Sequence, residues 1–435
     1  MKKWLVNIGI LIALVVGLVV WTLLPWFGVA GCAVVLGLWL MLTRSGHLAL
    51  AAAGIGVASL PQRWGASLVI VIGIAGVVGV LVAMLAMGQG FQATLSQTGT
   101  DDTAIILRGG SLAETNSVIT RDQIPLITSL AGIAKGDDGK PLVSPELSQV
   151  VNMPTKADGT DANVQLRGVG PAAWELRPNL KIIQGRRFGA GLRELDVGQG
   201  ALSQFVGLQV GKQLKLANQM WTVVGVFASG DSHDSELWAD AEVLASTYNR
   251  KSFQSVTAKL DGKNGFTQLK AALAADPQLK LDVLTTRDYY TKQSEGLTKL
   301  ITVLGTVIGA IMAIGAVFGA LNTMYAAVAA RAREIATLRA LGFRGLPVVV
   351  AVMLETMLLA LLGGLLGAGV AWLVFNGYTV STLGNNFSQV VFQFKVSPAL
   401  LWTGLKWALG IGLVGGLFPA LRAARMQVTD ALRAA

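Results

Sequence analysis

The sequence predicts an α-helical membrane protein carrying one large α+β domain on the non-cytoplasmic side, and three observations predict it. Of its 435 residues, 53% are hydrophobic and only 14% are charged, which lies outside the usual composition of a soluble domain. Six apolar stretches approach or exceed the roughly 20 residues needed to cross the hydrocarbon: Trp4 to Leu24, Trp26 to Leu42, Ala66 to Met87, Leu300 to Ala330, Pro347 to Phe375 and Leu400 to Leu421. Between the third and fourth lies a polar stretch, Gln89 to Lys299, long enough to bury a core of its own.

Charge placement sets the topology. The net charge of +10 and the pI near 9.8 would suit a nucleic-acid partner, so the position of the basic residues decides. Lys2, Lys3, Arg44, Arg63, Arg331, Arg333, Arg339, Arg344, Arg422, Arg425 and Arg433 all fall in short segments beside spans, against only Glu334 and Asp430. That is the positive-inside pattern of cytoplasmic loops, so no nucleic acid is needed to explain the charge. Six spans return both termini to the cytoplasm and leave the large domain outside. A seventh candidate, Leu48 to Leu60, is short and rich in Ala and Gly; counting it would reverse the charge asymmetry, so it reads as a surface helix on the cytoplasmic face.

The first two spans form a hairpin turning at Pro25. Val29-Ala30-Gly31-Cys32 resembles a lipoprotein cleavage box, but an apolar run to Leu42 follows where a polar tether belongs. Cys32 is the only cysteine, so the outer domain holds no disulfide.

From Gln89 onward, short alternating segments are separated by Gly, Pro, Asn and Asp turns. Thr103–Arg108, Asn163–Val169, Gln213–Leu216, Trp221–Phe227 and Ser255–Leu260 are predicted strands. Arg121–Ala134, Ala239–Tyr248 and Gly265–Asp276 are predicted helices. Gly211-Lys212 beside Gly207 lacks the spacing and the Ser or Thr of a phosphate loop, so no ATP site is assigned. Asp231, His233, Asp234 and Glu236 could hold a divalent metal, but with one histidine and no visible supporting partner they read as a solvated loop, and no metal is assigned. No nucleophile and base pattern occurs, so the chain is not expected to be catalytic.

Between the fourth and fifth spans, Ile335, Leu338 and Leu341 recur every three residues, with Arg331, Arg333, Glu334 and Arg339 on other faces. Arg331 and Glu334 are spaced to pair, and Gly342 suits a helix stop. This is a short amphipathic helix, 331–343, able to dock on a cytoplasmic partner and pass force into both spans. Glu355, about two turns into the fifth span, is expected to pair with cytoplasmic arginines rather than relay protons. Lys406 is expected to snorkel outward. Small residues recur every four positions, giving Gly305 and Gly309, Gly363 and Gly367, and Gly404 and Gly412 as candidates for close helix packing.

Arg331-x-Arg-Glu-Ile-x-x-x-Arg-Ala-Leu-Gly342, then Leu354-Glu355 with Gly363-Gly364-x-x-Gly367, then Pro419-Ala-x-Arg-Ala-Ala and Asp430-Ala-Leu432, resemble the signature of the MacB/FtsX-like permeases of ABC transporters. Gln165-Leu-Arg-Gly-Val169, Gln184-Gly-Arg-Arg187, Val210-Gly-Lys212 and Trp221-Thr-Val-Val-Gly225 resemble the family's periplasmic core domain. Ala330, Ala336 and Val428 stand where relatives carry Glu, Gly and Pro, and the hairpin is an addition to the family's usual four spans.

Beside an extra hairpin over 1–44 and an interfacial helix over 45–65, both read from the residues, the resemblance implies a span with a stalk over 66–90. A periplasmic α+β domain over 91–297 follows, then an FtsX-like membrane domain over 298–435 ending in a cytoplasmic helix over 422–433. It implies a bacterial inner-membrane permease that binds no cofactor itself, ATP and magnesium belonging to a cytoplasmic ABC ATPase. That ATPase would be contacted through Arg331, Arg333, Glu334, Ile335, Leu338, Arg339, Leu341 and Gly342, with Arg425 and Leu432. It also implies a homodimer or pseudo-symmetric heterodimer among membrane lipid, with room for a periplasmic adaptor and an outer-membrane channel. The expected function is efflux or extrusion by mechanotransmission. Release of lipoproteins, or FtsX-like control of a cell-wall hydrolase, are the alternatives.

Overall fold

The computed structural model describes residues 17, 20–22, 24–276, 278–340, 343–384 and 387–426, and these divide into two compact units. One holds the described residues up to Met87, Ile301–Gly377 and the described residues from Lys395; the other holds Gly88–Leu300 and Tyr378–Phe394.

The first unit is helical. Helices α1 (Trp26–Leu42) and α2 (Arg44–Ala58) meet at Thr43 with a 99° bend. The Thr43 hydroxyl accepts from Gly46 N at 2.9 Å while donating to Trp39 O at 2.8 Å. Gly46 is required there, because a Cβ would lie 2.3 Å from Trp39 O. After a single 3₁₀ turn come α3 (Trp64–Thr98), α4 (Thr286–Ala330), α5 (Ala332–Ala340), α6 (Gly345–Phe375) and α7 (Pro398–Arg425).

Among the described residues four helices, those beginning at Leu60, Thr286, Gly345 and Pro398, are long and apolar enough to cross a membrane, or five if the bent pair counts as one span. The expected span Trp4–Leu24 lies largely outside the described residues. At about 1.5 Å per residue, α3 with 35 residues and α4 with 45 far exceed a hydrocarbon core of about 30 Å, and each contributes residues to both units.

All six small-residue candidates sit where helices of this chain meet. An added Cβ would fall 2.8 Å from Met84 at Gly305, 3.0 Å from Leu81 at Gly309, 2.8 Å from Val71 O at Gly363 and 2.3 Å from Ala75 O at Gly367. At Gly404 it would meet Val82 at 2.8 Å, and at Gly412 Ala360 at 2.4 Å. Lys406 does not snorkel. It is buried, and its ammonium donates to Thr22 O at 2.7 Å and Leu24 O at 3.1 Å while Trp21 Nε1 donates to Lys406 O at 2.9 Å. Those carbonyls precede Pro25, which has no N–H to continue a helix, so the lysine satisfies acceptors that a helix end leaves open.

The second unit is α+β. Its strands are β1 (Thr103–Arg108), β2 (Ile119–Thr120), β3 (Val143–Pro154), β4 (Asp161–Val169), β5 (Lys181–Gly185), β6 (Glu194–Gly198), β7 (Gln213–Leu216), β8 (Gln219–Ala228), β9 (Glu236–Asp240), β10 (Ser252–Phe253), β11 (Ser255–Lys259), β12 (Leu281–Thr285), β13 (Thr379–Leu383) and β14 (Gln389–Gln393). A ten-stranded sheet runs β12-β1-β11-β3-β4-β9-β6-β8-β5, with β7 on β8; the pairs β4/β9 and β6/β8 are parallel and the others antiparallel. One core gathers Ile106, Val256 and Leu269 at the β1/β11 end, and a second gathers Leu166, Trp221, Val223 and Leu237 at the β4/β8 end.

Several sequence expectations shift here. The helix expected over Arg121–Ala134 spans only Gln123–Thr128. The chain turns at Gly132, with φ of +91° and no room for a Cβ beside Gly265 O, so that Ile133 can bridge Leu260. The helix expected from Ala239 starts at Ala241, because β9 runs on to Asp240, whose carboxylate caps Glu242 N and Val243 N. The loop expected to be solvated is buried at Asp231, His233 and Glu236. The hairpin β13–β14, from the stretch assigned on sequence to the membrane half, belongs to this unit: Val391 N donates to Ser235 Oγ at 2.8 Å and Phe392 stacks edge-on against Phe91 at 5.5 Å.

Candidate coupling site

Arg331 occupies the break between α4 and α5, and its carbonyl accepts Ile335 N at 3.0 Å. The placement aims its guanidinium two ways. Nε donates to Glu334 Oε2 at 2.9 Å, the predicted i,i+3 pair, and Nη1 donates to Glu355 Oε2 at 3.1 Å on α6. Glu355 is 2% exposed, so an unshared charge there would be costly. Arg63 closes the set, donating from Nη2 to Glu355 Oε1 at 2.9 Å. Each oxygen of the carboxylate therefore faces its own guanidinium, in keeping with the pairing with arginines expected for this acid. Glu355 was legible on sequence as an acid needing arginines; Arg63 carries no local pattern that singles it out.

At the other end of α5, Arg339 Nη1 donates to Met426 O, just beyond α7. The short helix is thus tied to α6 at its start and to the end of α7 at its close. The apolar stripe turns inward: Ile335 is buried, and half-buried Leu338 packs with Phe343 and Leu354 on the cluster of Ala52, Ala53 and Ala351. Arg333, Glu334, Thr337 and Ala340 form the exposed face, at the spacing of one helix side. Arg425 is exposed in the last turn of α7, beside Arg422, whose guanidinium lies over Tyr325 at 5.5 Å. Leu341, Gly342 and Leu432 lie outside the described residues.

A second polar assembly lies in the α+β unit. Arg167 on β4 is 1% exposed and uses all five N–H donors: Nε on Glu236 Oε2 at 2.8 Å, Nη1 on Glu114 and Glu146 at 2.9 Å each, and Nη2 on Glu114 and Glu236 at 3.0 Å each. Arg177 Nη2 adds a hydrogen bond to Glu146 Oε2 at 3.0 Å and an ion-pair contact to Oε1 at 2.8 Å. Burial alone would push the Glu146 and Glu236 carboxyls up. The neighbouring guanidiniums more than offset it, Arg177 and Arg167 for Glu146 and Arg167 for Glu236, and hold both below the usual range. Since β3, β4, β9 and the segment after β1 supply these groups, the cluster joins three neighbouring central strands to the chain that follows β1. Asp231, His233 and Glu236 are occupied in such contacts: His233 Nδ1 meets Asp231 at 3.0 Å, and Glu236 accepts from Arg167 and Trp238.

Two family profiles match along this chain: the MacB-like periplasmic core domain over residues 67–276 and the FtsX-like permease C-terminal region over residues 306–428. Together they take in about three quarters of it. The chain belongs to the MacB/FtsX-like permeases of ABC transporters.

An ABC transporter permease of Bacillus subtilis, YknZ, described as uncharacterized, is 24% identical over 400 residues, covering 84% of this chain and 94% of YknZ. The macrolide export ATP-binding/permease protein MacB of Neisseria gonorrhoeae is 26% identical over 395 residues, 83% of this chain. The chain spans only 57% of that MacB's length. Among solved structures, the periplasmic region of MacB from Actinobacillus actinomycetemcomitans aligns with 15% identity and a TM-score of 0.33, over 44% of this chain and 91% of that one. Within this MacB/FtsX-like permease, the candidate coupling site lies in the FtsX-like stretch except for Arg63, and the Arg167 cluster lies in the MacB-like stretch.

Proposed function

We propose that this chain is the membrane subunit of an ABC extrusion system, in which a separate cytoplasmic ATPase presses on α5 and the displacement is passed along α4 and α3 to the outer domain. The observation that carries this reading is the double tether of α5, through Arg331 to Glu355 and through Arg339 to Met426, with a polar face of Arg333, Glu334 and Thr337 left exposed. A helix fixed at both ends moves with its neighbours rather than bending alone. The two helices that share residues with both units exceed the hydrocarbon by many turns, which favours levers over a simple pore lining.

In this reading both termini and α5 are cytoplasmic, the α+β unit is periplasmic, and six spans include Trp4–Leu24. ATP and magnesium stay on the ATPase. The permease acts as a homodimer or heterodimer, for which exposed apolar side chains of α4 such as Val303, Val307, Ile311 and Phe318 offer a lipid-facing or permease-facing surface. The reading predicts that reversing the exposed charges, Arg333→Glu with Glu334→Arg, abolishes copurification of an ABC ATPase from native membranes while the chain still inserts and melts as the parent does. Undiminished copurification refutes it.

A further inference from the structure

The coupling site includes an element that precedes both family profiles, the first of which begins at residue 67. Helix α2 lies directly on the Glu355–Arg331 pair. A Cβ at Gly56 would sit 2.7 Å from Glu355 Oε2 and 3.1 Å from Arg331 Nη1, so its backbone touches the ion pair where a side chain would stand. One turn on, Ser59 Oγ donates to Gly56 O at 2.8 Å and accepts from Arg63 Nη2 at 2.9 Å, the same nitrogen that holds Glu355. One turn back, Ala52 and Ala53 pack on Ala351 of α6, in the cluster that also receives Leu338 of α5.

We propose that α2 and its following turn clamp the coupling helix, with Gly56, Ser59 and Arg63 as positioning residues. Covering the pair keeps water from screening it, and an ion pair is far stiffer in a low-dielectric setting than at a wet surface. A side chain at position 56 would have to push the Glu355 and Arg331 head groups aside. Because α2 grips α5 and α6 together, it sets whether the two move as one body. The N-terminal extension is in this way a working part of force transfer. The inference rests on α5 being the element that a partner moves, but its test needs no partner.

The test uses the full-length chain in lipid nanodiscs, with Cys32→Ser and a nitroxide label on Thr337→Cys, an exposed site on α5. Gly56→Leu should abolish the immobilised component of the label's spectrum. Gly54→Leu, on the same helix but with nothing within 4 Å of its Cβ position, should leave the spectrum unchanged. Should Gly56→Leu fail to insert, Arg63→Ala takes its place and should mobilise the label, with Arg63→Lys restoring part of the immobilised signal. Equal spectra for parent, Gly56→Leu and Arg63→Ala overturn the clamp. Failure of the parent to bind any ATPase would overturn the proposed function and leave this readout intact.

Discussion

Removing the guanidinium at Arg167 is the sharpest probe of the α+β unit. Arg167→Met keeps the length of the side chain but leaves Glu114, Glu146 and Glu236 buried with Arg177 as the one remaining guanidinium among them. Breaking a buried ionic cluster from one side costs about 3–5 kcal/mol. At about 2–4 °C per kcal/mol for a domain of this size, the melting temperature should fall by about 6–20 °C at neutral pH.

Differential scanning of the full-length protein in detergent reads this shift, and hydrogen exchange should locate the loosening in β3, β4 and β9. The native Glu146 and Glu236 carboxyls lie below their usual range, so their stabilisation is present above the unfolded-chain value and is lost as pH falls through the folded value. In the variant the orphaned carboxyls rise instead and take up protons, so its deficit should shrink on mild acidification. Adding Glu114→Gln and Glu236→Gln to Arg167→Met should recover much of the loss, because the buried charges that remain, Glu146 and Arg177, then pair with each other. A variant melting within about 2 °C of the parent, with unchanged exchange in those strands, would refute the reasoning.

Two further outcomes follow from single residues. Burial pushes the Asp196 carboxyl up to about 7, and its Oδ1 has no hydrogen-bond partner while Oδ2 accepts from Phe188 N at 3.0 Å. The folded state therefore holds a proton that the unfolded chain releases near its ordinary value, and stability from this group declines as pH rises between the two. Asp196→Asn should remove that slope, gaining about 2–3 kcal/mol relative to the parent between about pH 5 and pH 8; parallel pH profiles from chemical denaturation would contradict it. In the membrane unit, Gly367→Val cannot fit against Ala75 O and should cost at least about 1–3 kcal/mol. Gly369→Val, with open space around it, serves as the control in thermal assays of monodispersity, and equal losses in both would count against close α3–α6 packing.

Apolar run length and periodicity alone determined much of this protein's described structure. The long apolar runs became α3, α4, α6 and α7, the polar stretch became an α+β unit, and Thr103–Arg108 and Gln213–Leu216 are strands at the predicted bounds. Those signals are local: a run of apolar side chains or an alternation of two carries its meaning without knowledge of distant neighbours. The need of Glu355 for arginines was equally legible, since a lone carboxylate in a span has few solutions.

Tertiary structure decided the rest. Strand β3 contains Pro145, Glu146 and Asn152 and reads as loop until Arg167 arrives from β4 to neutralise it. Asp231, His233 and Glu236 look solvated until the sheet closes over them. Lys406 is apt to snorkel in isolation, but the open carbonyls of Thr22 and Leu24 hold it inside. The inward turn of Leu338 and the cover supplied by Gly56 likewise depend on which helices meet. Pairings between residues hundreds of positions apart leave no periodic trace in one sequence, because their energy comes from desolvation and geometry that exist only once the chain has folded.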